Sequence, residues 1–365
     1  MSEKSQSIYR GAEGSIKQVQ GKVRALGPLD VRIKITHSSL CATDLLYLPA
    51  GIALGHEGVG LIEEVGSAVK NLKIGDRVGG GFHRGSCGHC RYCLNGEDIW
   101  CSERVIFGES DADNGTFSDY YIGRETYVHK IPESIASEHA APLQCAGATV
   151  YGALVDVVKP SQRVGIIGIG GLGHLAIQFA SKMGAEVVVF SRTDDKEKEA
   201  RGFGADEFYL LSNPGEMKAP VDVLVLTGSR YPDWDAFLKP NVLARTGKIV
   251  PLLAPHGKME LPAGRLLTNG YNIESHLVAS RGVHNDMLKF AAHHKVTPAI
   301  EKFDLSEEGI GKAVEKMKSG TIRNRAKKRN FGTDPQLCTV PLQTVGGTTM
   351  SFTVQVIYRI SGAIS

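Results

Sequence analysis

The sequence predicts an α/β protein, with a β-rich amino-terminal module followed by a doubly wound parallel sheet. Three observations carry this. Short β-type runs and glycine turns fill residues 1 to about 150. From residue 151 onward, short apolar runs alternate with helix-period segments, the pattern of βαβ units. The first of those runs ends in Gly168-Ile-Gly170-Gly171-Leu-Gly173, a turn of the kind that joins a strand to a helix. At roughly 150 residues per domain, a chain of 365 residues also suggests two domains.

The elements follow in order. Val31–Ile35, Gly58–Val65 and Asp76–Val78 read as strands of the first module, where helix signals are sparse. Arg163–Gly168 is a short apolar run suited to a buried parallel strand, and His174–Met183 then carries helix-period apolar residues. Val187–Phe190, Val221–Thr227 and Gly247–Leu253 are further buried strands. Asn285–His294 and Glu307–Lys318 read as helices, the second with a charged face. Residues 324–365 open with a basic cluster, Arg325, Lys327, Lys328 and Arg329, and end with Ser351–Ile360, which could pair as a strand.

Composition excludes several classes. A net charge of +3 does not favour nucleic acid or an anionic membrane as the dominant partner. The longest apolar run, Val164–Ala180, is interrupted by glycines and His174, whereas a bilayer span needs about 20 mostly apolar residues. MSEKSQSIYRG has no apolar segment and predicts no signal peptide. A soluble, cytoplasmic protein with reduced thiols is expected. A core of this size needs no disulfides, so the 7 cysteines call for another explanation.

Four of them, Cys87, Cys90, Cys93 and Cys101, have the spacing C-x2-C-x2-C-x7-C. Thiolates packed this closely repel one another unless a cation neutralises them, and Zn²⁺ accepts four in closed structural sites. Free thiols are the bland alternative. An iron–sulfur cluster is another, although in bacterial ferredoxins the fourth cysteine comes sooner and precedes proline, while Cys101 precedes Ser102. Cys41, His56 and Cys145 make a second set: one imidazole and two thiolates, with the fourth position open for water or substrate. Each alone is more simply a core residue, and the argument rests on their occurring together.

The glycine turn fits G-x-G-x-x-G, which lets a pyrophosphate approach a helix N-terminus. The next strand lacks the acid that binds the 2′-hydroxyl of NAD and ends in Ser191-Arg192. Ser191 can donate to a 2′-phosphate, Arg192 can pair with it bidentately, and Lys196 adds charge. NADP(H) is therefore preferred, with NAD(H) still open because Asp194 and Asp195 follow.

Taken together, these motifs resemble the zinc-dependent medium-chain dehydrogenase/reductase family, and most closely its cinnamyl-alcohol-dehydrogenase-like branch, from about residue 15 to Arg323. The resemblance implies a GroES-like catalytic domain over 1–150 holding both zinc sites. It also implies a Rossmann domain over 151–289, a return to the catalytic domain over 290–323, and an atypical tail over 324–365. It further implies that Cys41, His56 and Cys145 are catalytic-zinc ligands, that Glu57 is an acid beside the metal, and that the other four cysteines are the structural set. Thr43 would bond the substrate oxygen and Asp44 would orient the His56 ring. Arg323 would neighbour that carboxylate, and Phe82 would form a pocket wall. The implied activity is hydride transfer between NADP(H) and an aldehyde or alcohol, with two zinc ions per subunit in a homodimer or homotetramer.

Three departures stand out. The stretch from Cys41 to His56 is shorter than is usual in the branch, which leaves the ligand geometry open. Leu46 stands where many relatives carry a proton-relay histidine, and His83 is a substitute candidate that reads more simply as a solvated side chain. Members of the branch end with a short strand soon after the position of Arg323, whereas 42 further residues, Asn324 to Ser365, follow here. Three other readings remain: a polyol-type dehydrogenase, which Cys145 disfavours; a degenerate, non-catalytic zinc- and nucleotide-binding protein; and a four-cysteine nucleic-acid module, which the charge balance disfavours.

Overall fold

The computed structural model describes residues 4–253, 258–319 and, as backbone, 351–355. Two large sheets organise them. The first has seven strands, six of them in the order Ile300–Asp304, Ser351–Gln355, Asp30–Leu40, Glu57–Val65, Arg77–Gly81, His129–Lys130, while Tyr120–Arg124 pairs with Asp30–Leu40 off that path. Asp30–Leu40 alternates buried Val31, Ile33 and Ile35 with half-buried polar residues, as a strand with one covered face should. An amino-terminal hairpin, Ser5–Ala12 with Ser15–Lys22, lies beside this sheet and is closed by Glu13 and Gly14, both at positive φ. That is the two-residue turn whose twist matches its strands.

The second sheet has six parallel strands in the order Glu207–Leu210, Glu186–Ser191, Arg163–Ile167, Val221–Leu226, Leu243–Pro251, Asn272–Ile273. Numbered by sequence this is the doubly wound order, with its reversal at the first strand, where dinucleotides bind. Its central strands are continuous apolar runs with Val164, Val187, Val188 and Val225 fully buried, because helices cover both faces. Expected and observed elements agree to within a few residues for most of the strands and helices predicted here. The short strands Glu207–Leu210 and Asn272–Ile273 carry too little pattern to be read from sequence.

The expectation of few helices before residue 150 needs correcting. Ser137–Pro142, a π-helical turn over Leu143–Gly147 and Ala148–Val157 form one helical run. Nearly all of its apolar residues are buried, Val155 excepted, so it shows little amphipathic period. At the other end, helix Arg281–His294 leads into Ile300–Asp304, which joins the first sheet. Helix Glu307–Ser319 then buries Ile310, Ala313, Val314 and Met317 against Tyr9, Leu40, Leu54 and Phe117. Strand Ser351–Gln355 runs antiparallel to Ile300–Asp304 and parallel to residues 37–40 of Asp30–Leu40. It covers the first half of the strand expected there. Arg323, the basic cluster and Cys338 lie outside the described residues. No helix among the described residues is long and apolar enough to cross a membrane.

Candidate active site

The four-cysteine loop precedes and encloses the short helix Arg91–Leu94. Its sulfurs approach without bonding, with Cys90 to Cys93 at 3.6 Å, Cys101 to Cys87 at 3.6 Å and Cys87 to Cys93 at 3.9 Å. A tetrahedral ion with metal–sulfur bonds of about 2.3 Å would set its sulfurs about 3.8 Å apart. The thiols are unequal. The Ser86 hydroxyl lowers Cys93 to about 6. Cys90, although the Cys93 backbone amide acts the other way, is pushed up to about 11 by desolvation and its sulfur neighbours. Four sulfurs at this spacing cannot all ionise without a cation.

The second cluster forms where three elements meet. Cys41 caps the helix Ala42–Leu46, His56 and Glu57 lead into the strand Glu57–Val65, and Cys145 sits in the π-helical turn. Such turns widen a helix by one residue and re-aim a side chain, often at functional positions. One potential ligand atom from each of Cys41, His56, Glu57 and Cys145 lies within 4.8 Å of the others, and all four residues are buried. The short connection between Cys41 and His56 thus still closes: helix Ala42–Leu46 and the tight turn Leu48–Ala50 fill it.

Asp44 holds this arrangement. Its Oδ1 accepts from His56 Nδ1 at 3.1 Å and from Gly55 N at 2.9 Å, and Oδ2 accepts from Cys41 N at 2.9 Å. The outward His56 Nε2 and both Glu57 carboxylate oxygens are buried with no hydrogen-bond partner among the described residues. Buried polar atoms are rarely left so, and these are atoms a metal ion takes as ligands.

The charges point the same way. A hydrogen bond from Cys145, helped by His56 and opposed by burial, holds the Cys41 thiol well below its usual range, and Cys145 is pushed up in return. Burial and the Cys41 charge raise the Glu57 carboxyl well above the carboxylate range. Burial opposes charge on His56, but Asp44 and Cys41 outweigh it and raise that imidazole. The cluster draws positive charge to itself, and a bound dication supplies it.

Thr43 places its hydroxyl 3.6 Å from the Cys41 sulfur. Phe82 stands edge-on to the His56 ring with centroids 5.7 Å apart, so the expected pocket aromatic is at the site. Phe107, which no motif marked, lies 4.6 Å from the same ring and packs on Tyr47. Leu46 is 41% exposed. His83 is a correction. It is buried rather than solvated, it packs on Tyr127, and its ring nitrogens have no hydrogen-bond partner among the described residues. Burial lowers its pKa to about 4.

The glycine turn leaves strand Arg163–Ile167 and opens helix Gly171–Lys182. Gly168 has φ +95°, and a Cβ on Gly173 would meet Gly168 O at 2.0 Å. Both positions therefore require glycine, one for its dihedral and one for close packing. Lys196 Nζ donates to Ile169 O at 3.2 Å, reaching Ile169 between Gly168 and Gly170. Ser191 is buried at the end of its strand and Arg192 is exposed just beyond it. Sequence reasoning missed His174. It is fully buried, its Nδ1 donates to Gly170 O at 2.9 Å, and its Nε2 accepts from Ala299 N at 3.0 Å. Its place inside the glycine-rich helix start was the available signal.

Comparison with known proteins agrees with this geometry. Residues 27–133 match the family described as alcohol dehydrogenase GroES-like domain, and residues 171–293 match zinc-binding dehydrogenase. A Bacillus subtilis protein named "Probable formaldehyde dehydrogenase" is 35% identical over 86% of this chain and 94% of its own. Cinnamyl alcohol dehydrogenase 7 of Arabidopsis thaliana is 32% identical over 83% of this chain and 88% of its own. Among solved structures, a Sorghum bicolor cinnamyl alcohol dehydrogenase superposes with TM-score 0.81 at 28% identity, covering 99% of this chain and all of that one. The Helicobacter pylori enzyme complexed with NADP(H) gives 0.79 at 25% identity, covering 96% of this chain and 97% of that one.

Proposed function

Because the chain belongs to the zinc-dependent medium-chain dehydrogenase/reductase family, in its cinnamyl-alcohol-dehydrogenase-like branch, we propose that it is an NADP(H)-dependent aldehyde reductase with one catalytic and one structural zinc. That it is a zinc alcohol dehydrogenase/aldehyde reductase follows from these relatives. The preference for NADP(H), the count of two ions and the residue roles are part of the proposal. One observation carries it: a buried, hydrogen-bonded imidazole, His56, turns an unpartnered nitrogen toward two thiols.

When bound, zinc supplies Lewis acidity at a carbonyl or alcohol oxygen and the nicotinamide supplies or accepts the hydride. The chain does the rest. Asp44 accepts a hydrogen bond from His56 Nδ1–H, which keeps the proton on Nδ1 and leaves the Nε2 lone pair free as a ligand. Cys41 and Cys145 complete the protein ligand set, with Glu57 as an acid beside it. Thr43 hydrogen-bonds the substrate oxygen and passes its proton to or from water, because Leu46 cannot carry one. The overall change is aldehyde plus NADPH plus a proton giving alcohol plus NADP⁺. Ser191, Arg192 and Lys196 bind the 2′-phosphate of the cofactor, and the turn of Gly168, Gly170, Gly171 and Gly173 receives the pyrophosphate.

The substrate is a small aldehyde or alcohol, and a homodimer or homotetramer in the cytoplasm is the expected setting. The test is NADPH and NADH oxidation by zinc-loaded protein over a panel of aromatic and aliphatic aldehydes. Turnover faster with NADPH supports the reading. Cofactor binding and a second ion without turnover would identify a non-catalytic binder, and sorbitol-dependent reduction of NAD would revive the polyol reading.

A further inference from the structure

We propose that Asp98 is a positioning residue that couples the four-cysteine loop to the cofactor-binding half of the chain through Arg281. The coupling stands on geometry alone, and only its consequence for the cofactor rests on the dehydrogenase reading. Asp98 lies three positions before Cys101, in the turn Asp98–Trp100, and is wholly buried. A buried carboxylate is costly without partners, and this one has three. Tyr127 OH donates at 3.1 Å, Arg281 N at 3.3 Å, and Arg281 Nε lies 3.4 Å away.

Arg281 is the first residue of helix Arg281–His294, whose N-cap, Ser280, offers no side-chain hydrogen bond. Asp98 therefore caps the helix from 183 positions away in the sequence. A carboxylate there satisfies an orphan amide and opposes the positive end of the helix dipole. The contact joins the region that matches the GroES-like family to the region that matches the zinc-binding dehydrogenase family.

The link extends in both directions. Ser86 Oγ lies 2.6 Å from Tyr127 OH and 3.2 Å from the Cys93 sulfur. A continuous polar run thus connects Cys93 to Asp98 and on to Arg281. Three residues along the helix, on the same face, His284 Nε2 donates to Gln144 Oε1 at 3.1 Å, and Gln144 immediately precedes Cys145. The helix is gripped at its first turn by the four-cysteine loop and rests, one turn on, against the turn that presents Cys145. Loosening the grip is expected to free the start of this helix and so weaken cofactor binding.

Hydrogen exchange on the full-length, zinc-loaded protein tests this. Asp98→Asn keeps size but turns an amide NH₂ toward donors. Cys90→Ser loosens the loop without touching the polar run. Each single variant is expected to speed amide exchange in 281–294 about tenfold. The double variant is expected to add little, since both act through one link. Arg281→Lys keeps the backbone cap and loses only the Nε contact. It is expected to show the same change at smaller size, and it serves if Asp98→Asn does not fold. In Asp98→Asn the KM for NADPH should rise several-fold while kcat changes less, and Asp98→Glu should restore part of it. Unchanged exchange in 281–294, or fully additive effects, overturns the coupling. Faster exchange without any NADPH-dependent activity in the parent protein leaves the coupling standing and removes the dehydrogenase reading instead.

Discussion

The carboxylate of Asp44 and the ring of His56 form a hydrogen bond of 3.1 Å in complete burial. Everything proposed for the second cluster depends on this pair. The bond fixes the ring's tautomer and aims Nε2, and Asp44 simultaneously holds the amides of Gly55 and Cys41 on either side. One short side chain therefore sets two ligands at once.

Asp44→Asn tests that arrangement. An asparagine carbonyl can keep either the Oδ1 contacts to His56 Nδ1 and Gly55 N or the Oδ2 contact to Cys41 N but not both, and a neutral amide accepts from His56 more weakly than a carboxylate. Metal affinity at the Cys41–His56–Cys145 site is expected to fall about 10–100-fold, while the four-cysteine site keeps its ion. Metal analysis of the variant after dialysis against a mild chelator reads both directly.

Arg192→Ala removes the expected partner of the 2′-phosphate. A charge-assisted hydrogen bond contributes about 1.5–3 kcal/mol, so kcat/KM with NADPH is expected to fall roughly 10–100-fold. The value with NADH should change little. The ratio of the two, measured with one aldehyde, is the check.

Acid stability carries a third prediction. Burial lowers His174 and His129 from 6.5 to about 4. An unfolded chain binds those protons at about pH 6.5 and the folded chain does not. Stability is therefore fully present above the unfolded pKa and is lost as pH falls toward 4, by about 1.4 kcal/mol per pH unit for each such histidine. Protonation of His174 would also set a new donor against the Ala299 amide that it now accepts from. Denaturant midpoints between pH 7 and 4.5 should fall more steeply for the parent than for His174→Gln.

Strand Ser351–Gln355 lies between Ile300–Asp304 and Asp30–Leu40. Deleting 351–365 would leave two interior edges unpaired, which exposes backbone donors and acceptors for aggregation. Thermal melts should show a Tm lower by roughly 10 °C or more, or no soluble protein.

Much of the site was legible because it is written locally. Cys87 to Cys101 and Gly168 to Gly173 are each one contiguous motif whose spacing has a chemical reason. Cys41, His56 and Cys145 are legible only as a set, since nothing in the chain says that a π-helical turn will swing Cys145 toward the other two. Asp98 and Arg281 were not legible, because a contact across 183 positions leaves no periodic or spacing signal. His83 misled for a related reason: its ring is covered by Tyr127, a neighbour distant in sequence. The hairpin ending at Lys22 was missed although Glu13-Gly14 is a turn signal, because its strands are too polar to read as buried.

The central claim is that catalysis belongs to the Cys41–His56–Cys145 site and not to the four-cysteine loop. The most direct measurement follows bound zinc and aldehyde-dependent NADPH oxidation together while a chelator removes metal stepwise. Activity is expected to fall in proportion to loss of one ion per chain, His56→Ala to lack both that ion and the activity, and added zinc to restore both in the parent. Full activity in protein that retains only the four-cysteine ion would contradict it.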